Sequence, residues 1–285
     1  MGTLLHWYLD SAASVFATLI VGAVAGEKVW QYLRSEDRHW GSTMTSITSG
    51  LTFMAAKAIV GKGLFVALSL WIYHTHRFFT LDLSNPLVWI GVFLIRDFVY
   101  YWVHRAEHSF RILWASHLVH HSPETINMST AVRVPWMEAL YKPFFSLWLP
   151  LVGFNPLAAI AMDVFAATLS QLQHTTAFPA RPNGLVQMMF VTPSAHRVHH
   201  GYNPEYLDKN FGAVLIVWDR LFGTWEPEVA PVRFGVGAVD AVKTIPDALV
   251  GGYGRLIEDV RSARGAEEAL AIAFSAPGVA PPSPR

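Results

Sequence analysis

Apolar runs dominate the first two thirds of the chain, and few charges break them. A helix needs about 20 largely apolar residues to cross the hydrocarbon core of a bilayer. Candidate runs lie at 4–26, 50–73, Pro86–Val103, 137–152 and 156–173. Lys57 and Lys62 interrupt the second. Only Gly153-Phe154-Asn155-Pro156 separates the last two. A connection that short, with Asn-Pro turn chemistry, makes an antiparallel hairpin of helices. The expected fold is therefore all-α: an integral membrane helical bundle of about four spans plus a short helical hairpin. No basic segment precedes the first run, so it reads as a retained helix and not as a cleaved signal peptide.

Composition agrees. The 285 residues are 52% hydrophobic and 15% charged, against roughly 25% charged in ordinary soluble domains. Eleven tryptophans and nine tyrosines suit anchoring at membrane–water interfaces. A formal net charge of +0 argues against nucleic acid as a main partner, because phosphate binding needs a basic surface. With no cysteine there is no disulfide, zinc–thiolate site or iron–sulfur cluster. Any metal the protein holds must rest on nitrogen or oxygen.

Loop charges set the orientation of such a bundle. Lys28, Arg34 and Arg38 follow the first run, and Arg105, Arg111 and Arg133 follow the third; the loop between the second and third carries only Arg77. These alternate if the N-terminus faces out and residues 104–136 face the cytoplasm. The hairpin then returns the chain to the cytoplasmic side at His174. The expected result is a histidine-rich helical cap on the cytosolic face, with a bacterial inner membrane as the compartment.

Nine of the 13 histidines fall in four places. They are His104 and His108; His117, His120 and His121; His174; and His196, His199 and His200. On a helix, residues three or four apart share a face, so each cluster can aim its rings at one locus. Imidazole suits iron, zinc, copper and nickel. Nine nitrogens are too many for one ion and suffice for two. His6, His39, His74 and His76 stand alone and read as structural.

At these motifs the chain resembles the fatty acid hydroxylase/sterol desaturase superfamily, and within it the alkylglycerol monooxygenase-like branch. The resemblance covers about 84–228. It runs through Arg96 to Arg105, Trp114 to Ser122, Thr192-Pro193-Ser194, His196 to Asn203, Asp208 to Gly212 and Trp218 to Thr224. It implies a helical membrane protein with a cytosol-facing di-iron centre that acts on lipid or sterol chains, and it supports the nine histidines as the ligand pool. Where relatives on this branch often have a further histidine, this chain has Ala195.

Metal-bound histidines usually give their second N–H to a carboxylate or carbonyl. Candidate partners are Asp97, Glu107, Glu124, Asp163, Asp208 and Asp219, with Asn127, Asn203 and Asn210 as possible orienting groups. Asp97 and Arg96 sit inside an apolar run, where charges are costly and usually functional; the alternative is that they pair with each other. Tyr100, Tyr101, Trp102 and Trp114 either line a lipid entrance or form an interfacial belt. The expected activity is hydroxylation of a C–H bond with O2 by two irons, zinc being a possible substitute. Desaturation and oxidative ether cleavage are alternatives on the same site. No haem, flavin or nicotinamide motif appears, so electrons must come from a separate ferredoxin- or cytochrome-type protein or a reduced pterin. A metal transporter and an inactive scaffold are the rival classes. The catalytic domain is expected over 1–228, followed by an extension over 229–285 that is partly helical and disordered at its end.

Overall fold

A computed structural model describes residues 18, 21–34, 40–180, 184–236, 242 and 244–278. The first candidate span, His6, His39, Arg38 and the proline-rich end after residue 278 lie wholly or mostly outside the described residues. Residues 21–33 form a helix, α1.

The second candidate run is part of a longer helical rod. Helix α2 (Trp40–Ala56) continues through a wider-turn π stretch, Lys57–Phe65, into α3 (Val66–Thr75). Helix α2 is inverted relative to a soluble protein. Its buried residues are Thr43, Thr45, Ser46 and Ser49, while Met44, Ile47, Leu51 and Met54 face outward. A water-exposed helix puts apolar residues inward. Small polar residues inside with large apolar ones outside is the pattern of a helix packed in lipid.

Helix α4 (Pro86–Ser109) starts where Asn85 Oδ1 accepts from the Leu87 amide and proline takes the first turn. Among the described residues it is the one helix long and apolar enough to cross a membrane by length and composition. The expected four spans are therefore not matched by four such helices. The run 137–152 in particular is not one helix. It divides into α6 (Glu138–Tyr141), a 3-10 turn Lys142–Ser146 and α7 (Trp148–Val152). Pro143 and Pro150 each withhold a backbone donor and clash with a preceding turn. Helix α8 (Pro156–Gln171) follows, capped by Asn155. The turn between them uses Gly153 at φ +121°, where a Cβ would lie 2.3 Å from the Phe79 carbonyl. The hairpin turn thus packs on residues 78–79, at the end of the bundle away from His104. Arg96 pairs with Asp163 on α8 and with Ser146, not with Asp97.

Phe110, in extended conformation, separates α4 from α5 (Arg111–His121). The cap that follows is built of short helices: α9 (Val186–Met189), α10 (Pro193–His199) and α11 (Val217–Leu221). No strand occurs among the described residues, only isolated bridges at Phe190–Leu215 and Gly201–Phe234. The extension adds α12 (Ile245–Val250), α13 (Tyr253–Arg261) and α14 (Ala266–Phe274), the last not foreseen from sequence. It braces α5: Leu256 and Ile272 bury against Ala115, and Ala248 against Leu118 and Val119.

Gly251 sits at the closest approach of the extension, at φ +59°, where a Cβ would lie 2.4 Å from the Ala115 carbonyl. Gly251→Ala is expected to weaken this docking by about 1–3 kcal/mol, through strain and overpacking together. Limited proteolysis should cut residues 244–278 faster in this variant. Gly254→Ala, whose Cβ would meet only Val250 at 3.8 Å, should match the parent.

Candidate metal centre

The histidine spacings become two groups in space. The first is His104, His108, His117, His121 and His199; the second is His120, His174, His196 and His200. In each group the ligand atoms lie within 4.8 Å of one another. All nine are buried except His120, which is partly so. Helix α5 sends the i,i+4 pair His117 and His121 to the first group and His120 to the second. The last cluster does the converse, with His196 and His200 in the second group and His199 in the first. The two groups touch, with the His121 and His200 rings stacked at 4.4 Å between centroids.

The rings converge through Nε2. In the first group His104 and His117 stand 3.0 Å apart, His108 and His121 3.2 Å, and His117 and His121 3.2 Å. In the second, His120 and His174 are 3.3 Å apart, His174 and His196 2.8 Å, and His196 and His200 3.1 Å. Metal–nitrogen bonds of about 2.1 Å at right angles place two nitrogens about 3 Å apart.

The Nδ1 atoms show what the Nε2 atoms offer. His104 Nδ1 faces the Phe211 carbonyl at 2.8 Å, and His117 Nδ1 faces Glu138 Oε1 at 3.0 Å. His120 and His174 face the Arg133 and Ser170 carbonyls at 3.3 and 3.0 Å, and His199 faces Lys209 at 3.0 Å. These oxygens only accept, so the proton of each neutral ring sits on Nδ1 and Nε2 carries a bare lone pair. His104 and His117 then oppose two lone pairs, as do His120 and His174. One such pair occurs in each group, and a cation bound by both nitrogens would turn the repulsion into attraction. His199 Nε2 is buried without a hydrogen-bond partner among the described residues. Extra protons are disfavoured. Burial, reinforced by neighbouring histidines, holds His117, His120, His121, His196, His199 and His200 well below the ordinary imidazole range, and burial takes His174 down to about 4. The donor set thus fits two ions that accept nitrogen ligands.

One loop serves the first group three times. Asp208 and Asn210 both adopt positive φ, which Asp and Asn tolerate better than most residues. That geometry aims the Lys209 carbonyl at His199, the Phe211 carbonyl at His104, and Asp208 Oδ1 to 3.4 Å from His108 Nδ1. Asn210 locks the loop by donating to the Ala195 and Glu226 carbonyls and accepting from the Glu226 amide. Asp219 accepts from the Phe211 and Gly212 amides and from Thr224. Asp97 accepts from the Val214 and Leu215 amides and the Trp218 indole. Both carboxylates are therefore loop anchors and not direct partners of a histidine. Asn127 binds Ser129 and the Thr130 hydroxyl within its own turn, and Asn203 ties down residues 231–233. Glu124 is exposed, and Asp163 serves Arg96. Of the carboxylates singled out from sequence, Asp208 and Glu107 lie beside ring nitrogens, Glu107 Oε2 at 3.6 Å from His117.

Sequence reasoning missed Glu138 and Lys142. The signal was present: an ionisable pair four residues apart at the head of an apolar run is costly unless it serves something. Glu107, His117 and Glu138 could by themselves hold a metal. Lys142 Nζ already fills that place, 3.1 Å from Glu107 and 2.5 Å from Glu138. Tyr101, fully buried and bonded to Thr224, lines neither an entrance nor an interfacial belt. Trp114 covers His108 at 5.0 Å between ring centroids.

The family model of the fatty acid hydroxylases matches residues 89–224. Alkylglycerol monooxygenase of Danio rerio is 32% identical over 98% of this chain and 61% of its own length. That of Homo sapiens is 35% identical over 68% of the chain and 42% of its own length. Ornithine lipid hydroxylase of Rhizobium tropici is 27% identical over 82% of the chain and 70% of its length. The chain spans about half the length of the alkylglycerol monooxygenases it matches. No solved structure matches.

Two outcomes follow from this geometry. Asn210→Ala removes three hydrogen bonds from a fully buried site and should cost about 2–4 kcal/mol, read as a lower melting temperature. Metal-free protein should lose stability on acidification. Its buried imidazoles stay neutral, while those of the unfolded chain take up protons below about pH 6.5. The folded state is then fully favoured above that pH and loses ground from there down toward pH 4, the window set by His174. A melting temperature unchanged between pH 7.5 and 5.5 would contradict neutral, buried rings.

Proposed function

Given that the chain belongs to the fatty acid hydroxylase family, through residues 89–224 and its alkylglycerol monooxygenase relatives, we propose that it is a membrane di-iron monooxygenase. It uses O2 and two externally supplied electrons to hydroxylate a C–H bond of a lipid or sterol-like molecule. The observation that carries this reading is the opposed Nε2 lone pairs, one pair in each of two adjoining groups. Two bound irons would supply the activation of O2 and the removal of hydrogen from an unactivated carbon, and zinc would occupy the same nitrogens without that redox chemistry.

The residues of the chain do the rest. His104, His108, His117, His121 and His199 hold one ion, and His120, His174, His196 and His200 the other. The Nδ1 acceptors fix ring tautomer and direction, so little reorganisation is left when metal arrives. Phe211 and Trp114 pack against the first group and exclude water from it. The inverted faces of α2 and the apolar exterior of α4, with Leu87, Ile90 and Leu94 outward, support a bundle embedded in lipid. We place the histidine cap on the cytoplasmic face of a bacterial inner membrane, by the loop charges, with the substrate arriving sideways from the bilayer. The catalytic unit takes in 1–228, with 229–285 an extension that braces α5. A separate ferredoxin- or cytochrome-type protein, or a reduced pterin, supplies the electrons.

The alkylglycerol monooxygenase relatives favour one particular C–H bond. Hydroxylation of the carbon beside an ether oxygen gives a hemiacetal, which divides into an aldehyde and an alcohol. Ether-lipid cleavage is thus the second reading, on the same site and with the same co-substrates.

Purified in detergent after growth with added iron, the protein should carry close to two irons per chain by mass spectrometry. His120→Ala and His199→Ala, one from each group, should each lower that number. Membranes expressing the parent under 18O2 should contain lipids with one labelled oxygen, or the aldehyde of a cleaved ether. One metal or none, unchanged by both substitutions, would overturn the dinuclear reading.

A further inference from the structure

The two histidine groups have different surroundings. In the second group the Nδ1 atoms of His120 and His174 meet neutral backbone carbonyls, and His196 Nδ1 is buried with no partner. In the first, two rings face carboxylates: His117 meets Glu138 at 3.0 Å and His108 lies 3.4 Å from Asp208. Hydrogen bonds to an ionised acceptor are about twice as strong as those to a neutral one. They also raise the basicity of the ligand. The Asp208 side chain is 69% exposed, so solvent screens its effect. That of Glu138 is 4% exposed, so its effect is not screened.

Lys142 organises these carboxylates. Its ammonium engages Oε2 of Glu138, which leaves Oε1 to accept from His117. The same ammonium meets Oε2 of Glu107, while the Tyr141 hydroxyl donates to Oε1. Glu107 Oε2 has both Lys142 and, at 3.6 Å, His117 beside it, whereas the two oxygens of Glu138 are divided between Lys142 and His117, and the one that faces His117 is held there.

Resting on the dinuclear reading above, we infer that the two metal positions are unequal, and that Glu138, oriented by Lys142, is the positioning residue that makes the five-histidine group the tighter one. It acts through His117, which it locks with Nδ1 protonated and Nε2 directed at the ion. The second group, with four rings and no carboxylate in contact among the described residues, releases its ion first.

The experiment follows metal release and needs no turnover. Protein in detergent is saturated with Fe(II) without oxygen, then mixed with excess of a coloured ferrous chelator. The parent should release two ions per chain in two phases of equal size. His174→Ala should lose the fast phase and keep the slow one. Glu138→Gln should speed the slow phase by about 10–100-fold, the usual effect of losing such a partner, and leave the fast phase unchanged. Glu138→Asp should restore much of the difference, and Lys142→Met should speed the slow phase less than Glu138→Gln. Two ions leaving in a single phase would overturn the inference while leaving the dinuclear reading intact. So would a slow phase untouched by Glu138→Gln. Fewer than two ions at saturation would sink both. Should Glu138→Gln not fold, the parent and His174→Ala traces still decide whether the positions differ.

Discussion

Opposed lone pairs on buried imidazoles are the constraint around which this molecule is arranged. Eight rings are buried and the ninth, His120, partly so, which makes their protonation costly, and at least five have their one proton drawn to Nδ1 by an oxygen acceptor. Left alone, the remaining nitrogens would repel. The scaffold must therefore be rigid enough to hold a repulsive arrangement. The α4–α5 corner, the bracing of α5 by the extension, and the loop at 208–212 all serve that end.

Charge is distributed to the same purpose. Asp97 and Asp219 sit beside the centre without touching it, each collecting backbone amides of the loop that faces it. Burial pushes the Asp219 carboxyl above its usual range, opposed by the hydrogen bonds it accepts. Arg133 donates to the Val119 carbonyl at the end of α5, where a cation is favoured by the helix dipole. Its own carbonyl receives His120. A residue counted from sequence as a loop charge is thus a fully buried brace.

Membership of the fatty acid hydroxylase family and the inverted helix faces point the same way. On the function proposed above, an apolar substrate held in lipid would reach a site at the membrane surface without crossing water, and a shell of neutral nitrogens beside apolar rings would suit chemistry on a C–H bond better than a polar, hydrated cleft. The family's chemistry and this chain's burial pattern are consistent at each level.

That these histidines could share common faces was legible in the sequence because helical spacing is local. His104 with His108, and His117 with His121, share a face wherever α4 and α5 are placed. The motif at 208–212 was also visible, but its use of backbone carbonyls was not, since a carbonyl has no letter in a sequence. Apolar length alone suggested one helix over 137–152, where Pro143 and Pro150 divide it. The division of nine histidines into five and four was beyond sequence. His120 parts from His117 and His121, and His199 from His196 and His200, because α5 and α10 each lie between the two positions. The amino-acid sequence determined which side chains could bind and that they would lie on common faces. Only the tertiary structure decided which group each would join and which oxygen would orient it, because both depend on contacts between segments up to 107 residues apart.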